Sequence, residues 1–170
     1  IAQAQTGTGK TAAFGLPLIE SIPSHVKGVQ AIILAPTREL VIQVCEEINS
    51  LKGSNPLVVT PIYGGQSIQL QLRQLKRGVA IVVGTPGRIL DHLQRGSLNL
   101  STIRYFILDE ADEMLNMGFI EDIEKILEST PDSKRVMLFS ATMPARIKSL
   151  AQRYMGEHVH IRTKSKLTTA

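Results

Sequence analysis

The sequence contains few of the residues that mark secreted or membrane-spanning proteins. It has one cysteine among 170 residues, which excludes an internal disulfide and is typical of a reducing compartment. No apolar run approaches the roughly 20 residues that a membrane-spanning helix needs, and no signal peptide is visible. We therefore expect a cytoplasmic protein with no membrane partner.

A block of like charge is also missing. The net charge is +4, and basic and acidic residues are interleaved along the chain. This balance permits a phosphate-backbone partner without requiring one. The length suffices for one domain with a sizeable core. The chain opens on Ile1–Ala4, which resembles the tail of a buried strand, and closes on a polar, basic segment, so we expect a piece of a longer protein.

Short apolar runs alternate with amphipathic stretches along the whole chain. Near-continuous apolar runs are typical of strands buried on both faces of a parallel sheet. They cover 31–35, 57–60, 79–83, 105–108 and 136–139, with a weaker strand at 158–161. Helical periodicity covers 11–22, 39–51, 68–75 and 119–127, and Pro144 opens a further helix. The alternation predicts an α/β fold, with a mostly parallel sheet and helices on both faces.

A glycine-bearing loop follows the first strand and leads into a helix. Gly7 and Gly9 let backbone N–H groups converge on phosphate oxygens, and the helix N-terminus adds partial positive charge. Lys10 can reach β- and γ-phosphates, and the Thr11 hydroxyl can bind Mg²⁺. The predicted nucleotide-binding residues are Ala4, Gln5, Thr6, Gly7, Thr8, Gly9, Lys10 and Thr11. Ala4 stands where the usual motif has glycine, so an ordinary glycine-rich turn remains an alternative on this segment alone.

Two acids end the strand 105–108. A carboxylate beside a phosphate loop can hold Mg²⁺, usually through water, which assigns Asp109 to the metal. Glu110 is suited to activating or positioning an attacking water. The alternative is a solvated helix start, where acids also suit the helix dipole. Lys10, Asp109 and Glu110 are the predicted catalytic residues.

The run Asp109-Glu110-Ala111-Asp112 spells the signature of the DEAD-box RNA helicases, which the chain resembles along essentially its whole length. The segment 4–11 resembles motif I of that family, which accepts alanine at its first position. Four further segments resemble, in family order, motif Ia at 36–40, the GG element at 64–65, motif Ib at 85–88 and motif III at 140–142.

The resemblance implies a RecA-like P-loop NTPase domain that uses ATP and Mg²⁺ and binds RNA. The RNA contacts would be mostly to sugar and phosphate, because aromatic residues are only 4% of the chain. The implied RNA-binding residues are Pro36, Thr37, Arg38, Gly64, Gly65, Thr85, Pro86, Gly87 and Arg88. Ser140 and Thr142 would couple hydrolysis to strand separation through hydrogen bonds to the region of Asp112.

The resemblance also implies what lies beyond the chain. The helicase ATP-binding domain would span 1–162, with 163–170 beginning a linker to a second RecA-like domain. That domain would carry the arginine fingers, and an upstream segment would read adenine. The isolated chain is therefore expected to be nearly inactive. A nucleotide- or RNA-binding module without turnover, or a different P-loop nucleic-acid translocase, remain alternatives.

Overall fold

The computed structural model describes the backbone of residues 2–3 and 161–162 and the complete residues 9–156. Five parallel strands form one sheet in the order β3-β4-β2-β5-β6. They are β2 (Ala31–Leu34), β3 (Val59–Ile62), β4 (Ile81–Gly84), β5 (Tyr105–Leu108) and β6 (Arg135–Leu138). Two short strands, β1 (Ala2–Gln3) and β7 (Ile161–Arg162), pair with each other in parallel.

Helices connect successive strands, as the alternating pattern predicts. They are α1 (Lys10–Ser21), α2 (Arg38–Lys52), α3 (Ile68–Arg77), α4 (Pro86–Arg95), α5 (Ala111–Asn116), α6 (Ile120–Glu128) and α7 (Ala145–Met155). Within the described part of the chain, no helix is long and apolar enough to cross a membrane.

The sheet has a hydrophobic core on each face, and β2 contributes to both. Ile32 and Leu34 pack into one core together with residues of α4, α6 and α7. Ala31 and Ile33 pack into the other together with residues of α1 and α2. Successive side chains of a strand point to opposite faces, so a strand buried on both faces must be apolar throughout. The predicted α/β fold with helices on both faces is confirmed.

The prediction for β3 was displaced by two residues. The apolar run begins at Leu57, but the strand spans Val59–Ile62 and includes Pro61. Val58, predicted within the strand, is 51% exposed. β3 lies at the edge of the sheet and pairs only with β4, and an edge strand tolerates a proline that cannot donate to the ladder.

Because the strands are parallel, the predicted functional loops all lie at the carboxyl ends of the strands. The carboxyl end of β5 leads to the acidic run, and its neighbour β2 leads to motif Ia. On the other side of β2, the ends of β4 and β3 lead to motif Ib and the GG element. The predicted ATP and RNA residues therefore lie side by side at the carboxyl ends of the strands, where ligands bind in such sheets.

Candidate active site and nucleic-acid interface

The first turn of α1 contacts the end of β5 through an ion pair. The Lys10 ammonium lies 2.7 Å from Oδ1 of Asp109. Lys10 begins α1 directly after Gly9, which has a φ of 77° that favours glycine. Thr11 is buried next to Lys10 in the same turn. The structure thus joins the predicted phosphate-binding lysine to the predicted metal-binding aspartate. Residues 4–8 of the predicted loop lie outside the described residues.

Asp109 is fully buried, and its surroundings fit a cation. Burial raises the pKa of its carboxyl, while Lys10 and the Glu110 backbone N–H act in the opposite direction. Apart from the ion pair, no described residue makes a well-formed hydrogen bond to either carboxylate oxygen. Buried oxygens without donors are costly unless a ligand satisfies them.

The few oxygen ligands near Asp109 fit Mg²⁺, which also binds water and phosphate, better than a metal that is coordinated entirely by protein side chains. No cluster of three or more His, Cys, Asp or Glu side chains among the described residues could hold a metal ion. Mg²⁺ is commonly bound by one or two protein oxygens together with water and substrate phosphates. Asp109 and Thr11 supply protein oxygens of that kind beside Lys10.

Glu110 has an unusual backbone conformation. Its φ of 52° makes it the one non-glycine residue with positive φ in the described part of the chain. Hydrogen bonds hold the chain on both sides: the Asp109 N–H donates to Leu34 O at 2.9 Å, and the Ala111 N–H donates to Phe139 O at 3.0 Å. Strain of this kind persists only where the surrounding structure enforces it, and it is common at active sites.

The Glu110 carboxyl is partly buried beside the same ion pair. Burial raises its pKa, Lys10 lowers it, and the neighbouring Asp109 carboxylate raises it further. A raised pKa makes a carboxylate a better proton acceptor, which suits the predicted role of a general base. Glu110 and Asp109 thus have adjacent positions in the chain and different surroundings.

A cleft of about 440 Å³ opens at these residues. One wall is the start of α1 with Asp109 and Glu110, and the other is α2. The lining residues from α2 are Leu40, Gln43, Glu47, Ser50 and Leu51. Glu47 also raises the pKa of Asp109. None of these α2 residues was predicted to belong to the site, because they fall within an ordinary amphipathic helix.

Asp112 joins the acidic run to the loop after β6. Its Oδ2 accepts from the Thr142 hydroxyl at 2.9 Å and from the Thr142 backbone N–H at 3.0 Å. The Asp112 N–H donates to the Ser140 hydroxyl oxygen at 3.1 Å, and that hydroxyl donates to Thr142 O at 2.6 Å. Burial alone would raise the pKa of Asp112, but these hydrogen bonds together hold it below its usual range. The predicted hydrogen bonds are confirmed; the coupling role stays a prediction.

The two predicted RNA-binding arginines flank the loop after β3. Arg38, at the start of α2, is exposed, and its guanidinium lies 5.5 Å from the ring centre of Tyr63. Arg88, in α4, donates from Nη1 to Gln66 O at 3.1 Å. The loop 63–67 therefore lies between motif Ia and motif Ib and contacts both arginines. Cationic, forked donors around such a loop suit a phosphate backbone.

The glycines and prolines of this surface differ in their exposure. Gly64, Gly65 and Gly87 are exposed with open space where a side chain would stand, which fits close backbone approach. Gly65 also has a φ of 85°, which favours glycine. By contrast, Pro36 and Pro86 are buried and do not present their rings to a ligand.

The two predicted threonines lie at helix starts. The Thr37 hydroxyl oxygen caps α2 by accepting from the Leu40 N–H at 3.2 Å. Thr85 is the residue before α4 and makes no side-chain cap. Thr37 thus has a structural role already, while the Thr85 hydroxyl is not used to cap its helix.

A buried polar network lies beneath this surface, and the sequence analysis did not identify it. Gln71 and His92 are both 0% exposed. Gln71 Oε1 lies 3.0 Å from Arg88 Nη1 and 2.8 Å from His92 Nε2. A glutamine in an amphipathic helix resembles any solvent-facing residue, so the pattern alone carried no signal. A histidine inside an apolar helix face was the one available indication.

Several further residues of the chain have well-defined surroundings. Cys45 is buried, and burial raises the pKa of its thiol to about 12. Gly78 and Gly96 end α3 and α4. Met114 is fully buried, whereas Met117 is 46% exposed. Of the weaker strand predicted at 158–161, residues 158–160 lie outside the described residues.

The chain is similar in sequence to known helicases. A family model described as DEAD/DEAH box helicase matches residues 1–150. The chain is 59% identical over 164 residues to a probable ATP-dependent RNA helicase of Methanocaldococcus jannaschii, covering 96% of the chain and 44% of that protein. It is 56% identical over 169 residues to the DEAD-box ATP-dependent RNA helicase CshA of Bacillus cereus, covering 99% of the chain and 32% of that protein.

Two solved structures have the same fold. One is a DEAD box protein from the hyperthermophile Methanococcus jannaschii, with a TM-score of 0.92 and 60% identity over 96% of the chain and 44% of that protein. The other is a hypothetical ATP-dependent RNA helicase from Sulfolobus tokodaii, with a TM-score of 0.86 and 36% identity over 95% and 47%. The chain spans less than half the length of these relatives.

Proposed function

Because the chain belongs to the DEAD/DEAH box helicase family, we propose that it is the ATP-binding, RecA-like part of an ATP-dependent RNA helicase. The parent protein would couple ATP binding and hydrolysis to unwinding of RNA duplexes or remodelling of RNA–protein complexes, in the cytoplasm. The observation that carries the proposal is the contact of Lys10 with the buried Asp109, beside the strained Glu110.

On the ATP side, each residue has a role that its surroundings support. Lys10 binds the β- and γ-phosphates, and the sequence of the segment 4–9 assigns that segment to the phosphate chain. Thr11 and Asp109 would hold Mg²⁺, and the ion would supply positive charge that neutralises the phosphates. Glu110 accepts a proton from the attacking water, and its raised pKa favours that step.

On the RNA side, the surface around the loop 63–67 binds a sugar–phosphate backbone with little base readout. Arg38 and Arg88 supply charge, and Gly64, Gly65 and Gly87 allow close approach. Thr37 and Thr85 supply polar groups, and the backbones of Pro36 and Pro86 complete the two loop segments. Asp112, Ser140 and Thr142 couple hydrolysis to strand separation through the hydrogen bonds that join the acidic run to the loop after β6.

The chain needs a second domain for full activity. We propose that 1–162 form the ATP-binding domain and 163–170 begin the linker to a second RecA-like domain. That domain supplies the arginine fingers and the other half of the RNA groove. An arginine finger contributes orders of magnitude to an NTPase rate. The 170-residue chain by itself should therefore bind nucleotide weakly and turn it over negligibly.

Nucleotide titration tests the proposal. A fluorescent ATP analogue should bind the chain more tightly with Mg²⁺ than with EDTA, and Lys10→Ala should remove that difference. The matched control is Lys125→Ala, which changes an exposed lysine of α6, on the other face of the sheet. Absence of binding at high nucleotide concentration would instead favour an RNA-binding module without turnover.

The nature of the nucleic acid needs a separate experiment. In a protein that contains both domains, ATPase activity should be stimulated by single-stranded RNA and much less by single-stranded DNA. Equal stimulation by both would favour another P-loop nucleic-acid translocase. RNA-stimulated turnover by the 170-residue chain alone, at the rate of the two-domain protein, would contradict the need for the second domain.

A further inference from the structure

A glutamine with every hydrogen-bonding position used lies beneath the proposed RNA surface. Gln71 Nε2 donates to Tyr63 O at 2.9 Å and to Gln66 Oε1 at 2.9 Å. Its Oε1 accepts from Arg88 Nη1 at 3.0 Å and contacts His92 Nε2 at 2.8 Å. An amide has two donors and two acceptor positions, so the side chain is completely satisfied. One residue of α3 thereby joins the loop 63–67 to two residues of α4.

The arrangement permits only one orientation of the Gln71 amide. Rotating it by half a turn would place its NH₂ group against the Arg88 guanidinium, which can only donate. It would also place its oxygen against Tyr63 O, which can only accept. His92 Nε2 must then carry the proton that it donates to Gln71 Oε1.

His92 fixes the other end of the network. Its Nδ1 lies 2.7 Å from the Ser97 hydroxyl oxygen, just beyond α4. A neutral ring with its proton on Nε2 accepts there from the hydroxyl, and burial lowers the His92 pKa, which favours that neutral form. The ring is therefore held from both sides and presents one N–H to Gln71.

The network uses only one nitrogen of Arg88. Nη1 donates to Gln71 Oε1 and to Gln66 O, which accounts for both of its hydrogens. The hydrogen bonds of Arg88 to residues 9–156 do not involve Nη2 or Nε. The three N–H groups of these two nitrogens therefore remain available for a ligand. Because the guanidinium is planar, holding Nη1 also fixes the directions of Nη2 and Nε before a ligand binds.

We propose that Gln71, held in place by His92, is a positioning residue for RNA binding that fixes the Arg88 guanidinium and the loop 63–67 as one preformed surface. The ligand is the phosphate backbone of single-stranded RNA, and this inference rests on the proposed function. Without Gln71 the arginine would sample many conformations, and RNA binding would have to restrict them. Fixing a side chain before binding improves affinity because less conformational freedom is then lost.

A double-mutant cycle on the 170-residue chain tests the proposal. Gln71→Met has similar volume and removes all four hydrogen bonds, and Arg88→Ala removes the guanidinium. Affinity for a fluorescein-labelled oligouridine, measured by anisotropy at low salt, should fall roughly five-fold for Gln71→Met and more for Arg88→Ala. The two losses should be less than additive, because the double variant has no guanidinium to position and only the loop 63–67 is then left for Gln71 to hold. Gln69→Met, the same change at an exposed site of α3, should bind like the parent chain.

A second measurement reads the position of Arg88 without RNA. In ¹⁵N–¹H spectra, the Arg88 side-chain Nε–Hε signal should be distinct in the parent chain and averaged toward the free-arginine position in Gln71→Met. His92→Leu should have the same effect on that signal. His92→Gln should restore it in part, since its amide can donate to Gln71 Oε1.

The outcomes separate this inference from the function on which it rests. Additive losses in Gln71→Met and Arg88→Ala, or an Arg88 signal that Gln71→Met leaves unchanged, would overturn the positioning role. Unchanged RNA affinity in Arg88→Ala would instead remove Arg88 from the proposed RNA surface. The Arg88 signal would still decide in that case whether Gln71 holds the guanidinium. If Gln71→Met fails to fold, the pair His92→Leu and His92→Gln carries the same test.

Discussion

Lys10 and Asp109, assigned to the phosphates and to the metal, bind each other with 2.7 Å between Nζ and Oδ1. Asp109 is fully buried, so its charge depends on this contact. A buried charge that loses its partner destabilises the folded state strongly. The residues proposed to bind Mg²⁺–ATP thus also compensate each other's charge, and binding of that ligand would have to exchange this ion pair for contacts to phosphate and metal.

Removing Lys10 and removing Asp109 should therefore have different effects on the free energy of unfolding. Lys10→Ala leaves the Asp109 carboxylate without its cation and should lower the free energy of unfolding at neutral pH by about 1–3 kcal/mol. Asp109→Asn removes a buried charge whose pKa is raised by burial, and should leave stability unchanged or raise it by about 1 kcal/mol. Urea denaturation measures both.

Acid should reduce the effect of Lys10→Ala. Without the lysine, the Asp109 pKa rises further, so the carboxyl takes up a proton as pH falls and the uncompensated charge disappears. The stability difference between Lys10→Ala and the parent chain should thus shrink in mildly acidic buffer. A difference that is constant from neutral to acidic pH would mean that Lys10 contributes by packing and not by charge.

The strain at Glu110 leads to a second prediction. Glycine has no penalty at a φ of 52°, whereas a residue with a Cβ does. Glu110→Gly should raise the free energy of unfolding by up to about 1 kcal/mol, relative to the control Glu110→Ala, which keeps the Cβ. Equal stability of the two variants would show that the surrounding hydrogen bonds impose no strain.

A different substitution of Glu110 tests its role in ATP turnover. In a protein with both domains, Glu110→Gln should abolish ATP hydrolysis and preserve ATP-dependent RNA binding, because the amide cannot accept the proton of the attacking water. ATPase assays and RNA binding with and without ATP measure the two properties. Normal turnover in Glu110→Gln would exclude Glu110 as the base.

Close packing at the end of β4 gives a third prediction. A Cβ at Gly84 would lie 2.5 Å from Ile89 Cδ1 and 2.8 Å from Ile62 O. The carbonyl belongs to the backbone of β3 and cannot move freely, so Gly84→Ala should cost about 1–3 kcal/mol in urea denaturation. Gly87→Ala, where nothing lies within 4 Å, is the control and should cost much less. A small effect at Gly84 would mean that β3 and α4 adjust easily.

The sequence predicted the parts of the fold that follow from burial on both faces. β2 and β5 are apolar at every position because helices cover the sheet on each side, and such runs need no long-range information to be recognised. The edge strand β3 was harder, because it carries Pro61 and a half-exposed pattern, and its pairing with β4 determines where it begins. An apolar residue such as Val58 can lie just outside a strand without changing the local pattern.

The site divides in a similar way. Lys10 and Asp109 were identified because their residue types and spacing follow from phosphate and metal chemistry, and Asp112 because the run that contains it resembles the family signature. The roles of Gln71 and His92 depend on contacts between α3, α4 and the loop 63–67, which only the folded chain brings together. The backbone of Glu110 is likewise set by hydrogen bonds from both sides, and glutamate itself carries no signal for positive φ.

Asp112 and Thr142 give a last prediction, which concerns pH. Burial opposes the charge of Asp112, but the hydrogen bonds that its carboxylate accepts from Thr142 and from the Glu113 N–H lower its pKa below that of the unfolded chain. A carboxyl with a depressed pKa stabilises the fold fully above its unfolded pKa, and this contribution is lost as pH falls through the folded value. Asp112→Asn should therefore lower stability at neutral pH and flatten its acid dependence. Glu113→Gln, at the adjacent exposed acid, is the control and should leave the slope unchanged; equal slopes in the parent chain and Asp112→Asn would contradict the prediction.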